Sequence, residues 1–417
     1  MNFRNYLRYG KVLALPIALI LWVSGCSSEF GALCGNLIKA GHKAGCTGCE
    51  IRRIPTEGEA EGEVLEGESG EGETGEGEGV KEGEVVEEGE AEGEGEGEII
   101  PSNMVAVKRG SFSMGRPYSD VGENTELPVH EVSLDAYWVA KYEVTNLEYA
   151  EVLNWAYSRK LLKNIEGTTY AGGTVYAYDR PIVETRDSSP NAQIHYSDGV
   201  FSAYSRINYN DHVVSMEEHP VVMVSWYGAA AYCNWRSSMS GLQPCYSTSD
   251  WTLNKPERNG YRLPTEAEWE RAASWDGARH WRYGMMRDSI DPAFANYLEY
   301  NPLWLKSYPF TSPVGWYNGT NPEQLRYPDV ITMNAVSPSG AYDMTGNVLE
   351  WCHDWFQDAY YIESPEANPK GPSEGMFKSV RGGSWSTTNP DCRTARRFRY
   401  LPANRENNLG FRIIQPS

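Results

Sequence analysis

Apolar and polar residues divide the 417-residue chain into three regions. Residues 12–23 form one apolar run, residues 57–98 hold very few apolar side chains, and from residue 101 to the end apolar and polar positions are mixed. A segment with so few apolar residues cannot bury enough surface to offset its conformational entropy. The pattern therefore predicts a short leader, a disordered linker and a single folded domain over residues 101–417.

Within the domain, local signals mark a few helices and strands. Thr145 with Glu148, and Thr265 with Glu268, have the spacing of capping boxes and predict two helix starts. A third helix is predicted over residues 226–239, and short apolar alternations over residues 105–112 and 129–134 predict strands. We therefore expect a mixed α+β fold with a low content of regular secondary structure.

The N-terminal residues have the order of a secretory leader. Basic residues precede the apolar run, which is shorter than the roughly 20 residues of a membrane span. The sequence Val-Ser-Gly-Cys that follows, ending at Cys26, resembles a bacterial lipobox, in which the cysteine is acylated. This predicts a signal peptide over residues 1–25 and an exported protein anchored to the cell envelope by lipid at Cys26, with Ser27 favouring the outer membrane. An ordinary signal peptide or an uncleaved anchor is the alternative.

Residues 26–55 form a short cysteine-containing segment with Cys34, Cys46 and Cys49. The Cys-x-x-Cys spacing of Cys46 and Cys49 raises a redox or metal interpretation. No second pair of cysteines or histidines completes a zinc site, however. A local disulfide in an exported chain is the simpler interpretation.

Residues 56–100 alternate glutamate and glycine and carry most of the charge. Between Glu57 and Glu98 lie 19 glutamates and one lysine, so this linker supplies −18 of the net charge of −20. Repulsion between like charges predicts an extended spacer, with unspecific calcium gathering as a second interpretation. The rest of the chain is close to neutral, so a basic surface for nucleic acid is not expected.

Short sequence motifs follow one another along the domain in a particular order. They include Lys-Tyr-Glu-Val-Thr-Asn at 141–146, Gly-Tyr-Arg-Leu-Pro-Thr-Glu-Ala-Glu-Trp-Glu at 260–270, Gly-Asn-Val-Leu-Glu-Trp at 346–351, Arg-Gly-Gly-Ser-Trp at 381–385 and Asn-Leu-Gly-Phe-Arg at 408–412. Together they resemble the signature of the formylglycine-generating enzyme (sulfatase-modifying factor) family over nearly all of residues 101–417. The resemblance implies a compact fold distantly related to C-type lectins. Residues 158–218 lack such motifs and are interpreted as an insertion.

The resemblance implies an oxidase that converts a sulfatase cysteine to formylglycine with molecular oxygen and copper(I). Family members hold the copper between two cysteines five residues apart, and those positions are here Thr387 and Cys392. A threonine hydroxyl is a hard ligand and cannot replace a thiolate for copper(I). Ser384 corresponds to the serine of the family's catalytic pocket. Thr387 therefore predicts a diverged member, in which Cys392 is more structural than catalytic.

The resemblance also implies bound calcium. The family's site near the Gly-Asn motif falls on two carboxylates and two backbone carbonyls, those of Asp343, Gly346, Val348 and Glu350. Oxygen ligands of this kind suit a hard cation. A second family site would use Asn296 and Tyr297 together with an aspartate. The best match for that aspartate is Lys306, a cation, which puts the second site in doubt.

Other ligand-bearing residues leave alternatives open. The four cysteines of the domain, Cys233, Cys245, Cys352 and Cys392, are enough for two disulfides with three possible pairings, including a local one between Cys233 and Cys245. The seven histidines form no close pair in sequence, which leaves an iron site assembled from distant residues as an alternative. An arginine run, Arg393, Arg396, Arg397 and Arg399, suits either an anionic ligand or structural salt bridges, and salt bridges are favoured.

Several functions are consistent with these residues. The favoured one is a diverged family member on an exported lipoprotein. The alternatives are an active formylglycine-generating oxidase, a non-catalytic module that binds an exported protein, peptide or glycan at the cell surface, and a non-haem iron oxygenase.

Overall fold

The computed structural model describes residues 103–164, 173–255 and 257–417. These residues belong to one compact unit, Ala91–Ser417. The leader, the acylation site at Cys26, the cysteine-containing segment and the linker lie outside the described residues, so the interpretations given for them stay predictions.

The described residues form few helices and many short strands, as the sequence predicts. The α-helices are α1 (Asn146–Ser158), α2 (Trp226–Met239), α3 (Glu266–Ser274) and α4 (Tyr360–Glu363). Single 3-10 turns cover Asn124–Glu126 and Asn389–Cys392. In the N-terminal half the strands are β1 (Met104–Val107), β2 (Gly110–Met114), β3 (His130–Leu134), β4 (Tyr137–Ala140), β5 (Leu162–Asn164), β6 (Thr174–Ala177), β7 (Arg180–Glu184), β8 (Ile194–Ser197), β9 (Val200–Ala203), β10 (Arg206–Ile207) and β11 (Val213–Val214). In the C-terminal half they are β12 (Pro322–Gln324), β13 (Tyr327–Ile331), β14 (Leu349–Trp355), β15 (Lys378–Arg381), β16 (Phe398–Tyr400), β17 (Leu409–Gly410) and β18 (Ile414–Pro416).

All three predicted helices are confirmed, and each begins at a side-chain cap. The Glu148 backbone N–H donates to the Thr145 hydroxyl at 3.2 Å, and the Thr145 N–H donates back to the Glu148 carboxylate at 2.9 Å. Thr265 and Glu268 repeat this reciprocal arrangement at the start of α3. The Ser225 side chain caps α2. Because caps satisfy N–H groups that lack partners inside the helix, they fix where each helix starts.

The predicted strand over residues 105–112 is wrong in its extent. The chain forms two strands there, β1 and β2, separated by Lys108 and Arg109. They belong to different sheets, because β1 pairs with β4 whereas β2 pairs with β3. The strand predicted over residues 129–134 corresponds to β3.

Two sheets organise the region around the candidate site. One has the order β1-β4-β18, and the other has the order β16-β15-β14-β17. Pairing between β14 and β17 is parallel, whereas β15 is antiparallel to both of its neighbours. The remaining described strands form a three-stranded sheet, β5-β6-β7, and four two-stranded hairpins.

Hydrophobic side chains from distant segments share the cores that hold these elements. The largest cluster combines residues of α1 and α2 with Val175, Ile182 and Ile194. Those three lie in the segment interpreted as an insertion, so its described part contributes to the main core. A second cluster surrounds α3. In the described part of the chain, no helix combines the length and apolar character needed to cross a membrane.

The structure forms neither of the two disulfides for which the four cysteines of the domain would be enough. Cys233, Cys245, Cys352 and Cys392 are all buried free thiols. Cys352 and Cys392 lie in two different hydrophobic clusters, separate from the cluster that holds the other two. The Cys245 thiol donates to the Gly260 carbonyl at 3.2 Å instead of bonding to a second sulfur. Cys233 shares its cluster with Cys245 but is also not bonded to a second sulfur.

Candidate functional site

A glycine-dependent turn after β15 brings the copper-ligand positions together. Gly382 and Gly383 both have positive φ angles, of +96° and +75°. A Cβ atom at Gly383 would lie 2.7 Å from the Cys392 sulfur and 3.0 Å from the Thr387 hydroxyl. Only glycine leaves room for this approach, so the turn packs directly against both side chains.

Thr387 and Cys392 are in direct contact. The Cys392 Sγ lies 3.2 Å from the Thr387 Oγ1. The same hydroxyl donates to the Ser384 carbonyl at 3.0 Å and accepts the Ser384 backbone N–H at 2.8 Å. Since its single hydrogen is directed to Ser384, the thiol is the donor in the contact with Cys392. The predicted pair is therefore assembled, but as a thiol and a hydroxyl.

Cys392 lies in an environment that disfavours a thiolate. Its side chain is fully buried, in a cluster that includes Tyr283, Met285, Tyr297 and Tyr317. Burial raises the pKa of the Cys392 thiol to about 12, although the hydrogen bond with Thr387 acts in the opposite direction. Copper(I) binds thiolates, so these residues do not fit the family's copper site.

Ser384 has no base among its hydrogen-bond partners in the described structure. Its hydroxyl lies 3.2 Å from the Ser386 hydroxyl and accepts the Asn408 side-chain amide at 3.4 Å. Neither partner takes up a proton in the way that activates a serine nucleophile. The arrangement supports a turn residue rather than a catalytic one.

The arginine run beside Cys392 is paired with carboxylates, as the salt-bridge interpretation predicts. The pairs are Arg393 with Glu126 at 2.6 Å, Arg396 with Asp391 at 3.1 Å, Arg397 with Glu266 at 2.7 Å and Arg399 with Asp358 at 2.5 Å. The pairs of Arg393 and Arg397 are bidentate and buried. The carboxylates hold these guanidinium groups in place around the site. The described residues therefore leave no unpaired group of arginines there that could bind an anionic ligand.

Two of the predicted calcium positions have different surroundings. Asp343 is buried and accepts the Gly315 N–H at 2.6 Å. Both oxygens of Glu350 accept from Arg412 at 2.7 Å, and one also accepts the Trp269 indole N–H at 2.9 Å. Glu350 is thus already neutralised, whereas Asp343 has no ion-pair partner in the described part of the chain.

Glu143 is an acidic residue near this site that motif matching did not single out. It is 1 % exposed, and Asn347 donates to its Oε2 at 3.1 Å. Its Oε1 has no hydrogen-bond partner among the described residues. Burial and the negative charges of Asp343 and Glu350 raise the pKa of Glu143. Three acids therefore surround the single guanidinium of Arg412, which leaves an excess of negative charge, although the described side chains alone are not arranged as a metal site. The sequence signal that could have identified Glu143 was its position in the motif at 141–146.

At the second calcium position, no carboxylate hydrogen-bonds to Asn296 in the described structure. Asn296 donates to the Phe310 carbonyl at 2.7 Å, and its Oδ1 is buried without a partner in the described structure. Its neighbour Tyr297 lies in the cluster around Cys392. Lys306 is turned away and pairs with Asp211 at the surface. Phe310, rather than Lys306, therefore faces Asn296, and it contributes only a backbone carbonyl.

The histidines are dispersed. In the described ranges, no group of three or more His, Cys, Asp or Glu side chains is arranged to hold a metal ion. His219 is buried, and burial lowers its pKa to about 3. His280 contacts Glu270 at 3.0 Å. His130, His195, His212 and His353 complete the described set, and His42 lies outside it. The described residues thus offer no facial triad for iron.

Comparison with known proteins identifies the family of the chain. The model of the family described as sulfatase-modifying factor enzyme 1-like domain matches residues 94–416. The chain belongs to this family. The match covers both the Thr387–Cys392 pair and the Asp343–Glu350 region, so the sulfatase-modifying factor domain includes the whole candidate site.

Relatives of this sulfatase-modifying factor domain differ in how much of their own length the chain matches. The chain is 30 % identical over 328 residues to a formylglycine-generating enzyme of Thermomonospora curvata, covering 75 % of this chain and 93 % of that one. It is 27 % identical over 325 residues to the formylglycine-generating enzyme of Bos taurus, covering 75 % and 74 %. It is also 30 % identical over 321 residues to the serine/threonine-protein kinase pkn1 of Chlamydia pneumoniae, covering 76 % of this chain but only 38 % of that one. A solved structure, Treponema denticola variable protein 1, superposes with a TM-score of 0.46 at 22 % identity, covering 75 % and 95 %.

Proposed function

We propose that this domain is a diverged relative of formylglycine-generating enzymes that has lost copper-dependent oxidation and acts as a binding module. The observation that carries the proposal is the 3.2 Å contact between the Cys392 thiol and the Thr387 hydroxyl. In the enzymes that the chain resembles, two thiolates occupy these positions.

Loss of one thiolate also weakens copper binding by the sulfur that remains. A two-coordinate copper(I) site has no spare donor, so a single sulfur holds the metal weakly. Here that sulfur is also buried and protonated, and burial raises its pKa to about 12. Binding copper would require removing this proton without a second thiolate to share the positive charge.

The retained parts support a ligand-binding role on an exported chain. The fold persists around the substituted pair, and an exposed aromatic side chain flanks it, since Tyr308 is stacked on the buried Trp385 at 5.1 Å between ring centroids. Aromatic rings of this kind contact peptides and sugars through large, rigid surfaces. We therefore propose an exported peptide or glycan as ligand, with the membrane reached through a lipid at Cys26.

Calcium is the metal that the residues fit. We propose that Asp343 and the backbone carbonyls of Gly346 and Val348 hold it, with Glu143 close by and Glu350 orienting Arg412. A bound calcium ion neutralises buried carboxylates and orders the loops that carry them. Its role here is structural.

Metal analysis of the full chain tests both parts of this proposal. We expect calcium but no copper in the purified protein, and tight copper(I) binding only in Thr387→Cys, because that change restores the second thiolate. Thr388→Cys is the matched control, since it adds an exposed thiol at the next position. Asp343→Asn should weaken calcium binding.

Either of two results would contradict a part of this proposal. Tight copper binding by the natural chain, abolished in Cys392→Ser, would mean that another residue completes the copper site. Oxygen consumption with a cysteine-containing sulfatase peptide would then establish the oxidase. Calcium-free protein with unchanged stability on calcium addition would overturn the calcium assignment.

A further inference from the structure

A cavity of about 530 Å³ lies away from the Thr387–Cys392 turn, at the start of α1. It is bounded by α1, α2, the edge of the β1-β4-β18 sheet and the loop at Val314. Its apolar lining includes Met104, Val144, Leu147 and Ile413. The volume is within the usual range of small-molecule sites, roughly 300–1,000 Å³.

Two opposite charges in this cavity have no partner among the described residues. The guanidinium of Arg236, on α2, makes no hydrogen bond or ion pair with any described residue. The Glu218 carboxylate, in the exposed segment beside the start of α1, is likewise without a described partner. Arg236 is partly buried, so its guanidinium has lost part of its hydration without gaining a partner, and a ligand carboxylate could supply one.

Glu148 adds a second carboxylate to this wall. Its Oε2 accepts from the Thr145 N–H at 2.9 Å as part of the helix cap, and its Oε1 has no described partner. Burial raises the pKa of Glu148, and nearby Glu218 adds to the rise while Arg236 opposes it. Glu148 thus interacts with both charges across the cavity without an ion-pair contact to either.

We infer that this cavity binds a free α-amino acid with an apolar side chain. Arg236 is placed to bind the ligand's carboxylate, since a guanidinium matches a carboxylate with two parallel N–H donors. Glu218 and the free oxygen of Glu148 are placed to accept the ligand's ammonium group. The apolar lining and the Tyr142 and Tyr261 rings then contact the side chain.

A zwitterion offers a partner to Arg236 and to Glu218 or Glu148 at once. A simple amine would leave Arg236 without a partner, and a simple carboxylate would leave the two glutamates without one. A charged group that loses water on binding and gains no partner weakens the complex, so both kinds of ligand would bind more weakly. This inference is independent of the copper question, because none of its residues touches the Thr387–Cys392 pair.

Calorimetric titration of the full chain at neutral pH tests the inference with three related probes. L-leucine carries both charges, leucinamide lacks the carboxylate, and N-acetylleucine lacks the ammonium group. We expect saturable binding of L-leucine and at least about tenfold weaker binding of either analogue, because each leaves one charged group unpaired.

Variants assign the two ends of the ligand. Arg236→Gln should weaken L-leucine at least about tenfold and remove its advantage over leucinamide, and Glu218→Gln should remove its advantage over N-acetylleucine. Glu217→Gln is the matched control, because Glu217 is exposed and does not line the cavity. It should bind L-leucine as the natural chain does.

Two outcomes would overturn the inference. One is absence of saturable L-leucine binding by a chain whose thermal unfolding shows it to be folded. The other is equal affinity for L-leucine and both analogues, or affinity unchanged in Arg236→Gln and Glu218→Gln. Either result leaves the copper measurements unaffected.

Discussion

The pKa values of buried acids in this domain shift in opposite directions, depending on the charges next to each carboxyl group. Burial alone would raise the pKa of Glu270, but Arg381 and His280 hold it at about 2. Asp354 has no such partner among the described residues, and burial together with the charge of Glu266 raises its pKa to about 8. Its carboxyl accepts the Glu266 backbone N–H at 2.9 Å. Asp354 is therefore neutral in the folded protein at neutral pH.

Asp354 makes the free energy of unfolding depend on pH, whereas a neutral amide at this position would not. Folding raises its pKa from the ordinary value of 3.8 to about 8, so the contribution is fully present below about pH 4 and is lost as the pH rises towards 8. We expect Asp354→Asn to gain stability relative to the natural chain over this interval, by up to about 1.4 kcal/mol for each pH unit. Urea unfolding at pH 5 and pH 7.5 measures the difference, and an unchanged difference between the two proteins at the two pH values would contradict it.

The pair at Thr387 and Cys392 was predictable at this scale, because a motif and a fixed spacing identify both positions. The contact between the thiol and the hydroxyl was seen only in the structure, where the turn at Gly383 packs against both side chains. The cavity at Arg236 was not predictable, because its lining comes from segments as far apart as Asn103 and Ile413. Only tertiary structure brings such residues together.

Elements were predictable where their signals are local. Each helix start depends on a cap within four residues, and all three predicted starts are confirmed. Strand pairing depends on contacts across the chain, such as β18 with β4, for which sequence offers no local signal. The same reason explains why β1 and β2 were predicted as one strand, since only their partners distinguish them.

Helix α3 is held by charges as well as by packing. Glu266, in its first turn, accepts from Arg397 at 2.7 Å and from Arg381 at 3.2 Å, so one carboxylate links α3 to β15 and to the loop before β16. All three groups are at most 3 % exposed. Buried pairs of this kind cost much to break, because the surviving charge stays in a low-dielectric environment.

Glu266→Gln should therefore destabilise the domain by about 3–5 kcal/mol, since it leaves the buried Arg397 without a carboxylate partner and Arg381 with Glu270 alone. Asp179→Asn is the control, because its pair with Lys163 is exposed and should cost less than about 1 kcal/mol. Chemical unfolding of both variants at pH 7 gives the two values. Similar small losses in both would show that α3 depends on packing alone.

At the scale of the whole molecule, the described domain is one part of a longer chain. The leader, linker and acylation site are predictions from composition and motif, and they concern 100 of the 417 residues. Such features need no tertiary structure, because receptors and enzymes recognise them in an extended chain.

The predicted lipid anchor makes a direct test possible. Cys26→Ser should move the protein from the membrane fraction to the soluble fraction, because the acyl chains at Cys26 supply the membrane attachment. Cys49→Ser removes another cysteine of the same region and should leave the protein membrane-bound. Fractionation of cells expressing each full-length variant gives the answer. Continued membrane association of Cys26→Ser would contradict the anchor.

The central position of β4 has a consequence for synthesis. Its two partners are β1, which precedes it by about 30 residues, and β18 (Ile414–Pro416), which follows it by about 270 residues. A ribosome must therefore synthesise most of the domain between β4 and its second partner. This sheet consequently cannot be completed on a growing chain until β18 has been made.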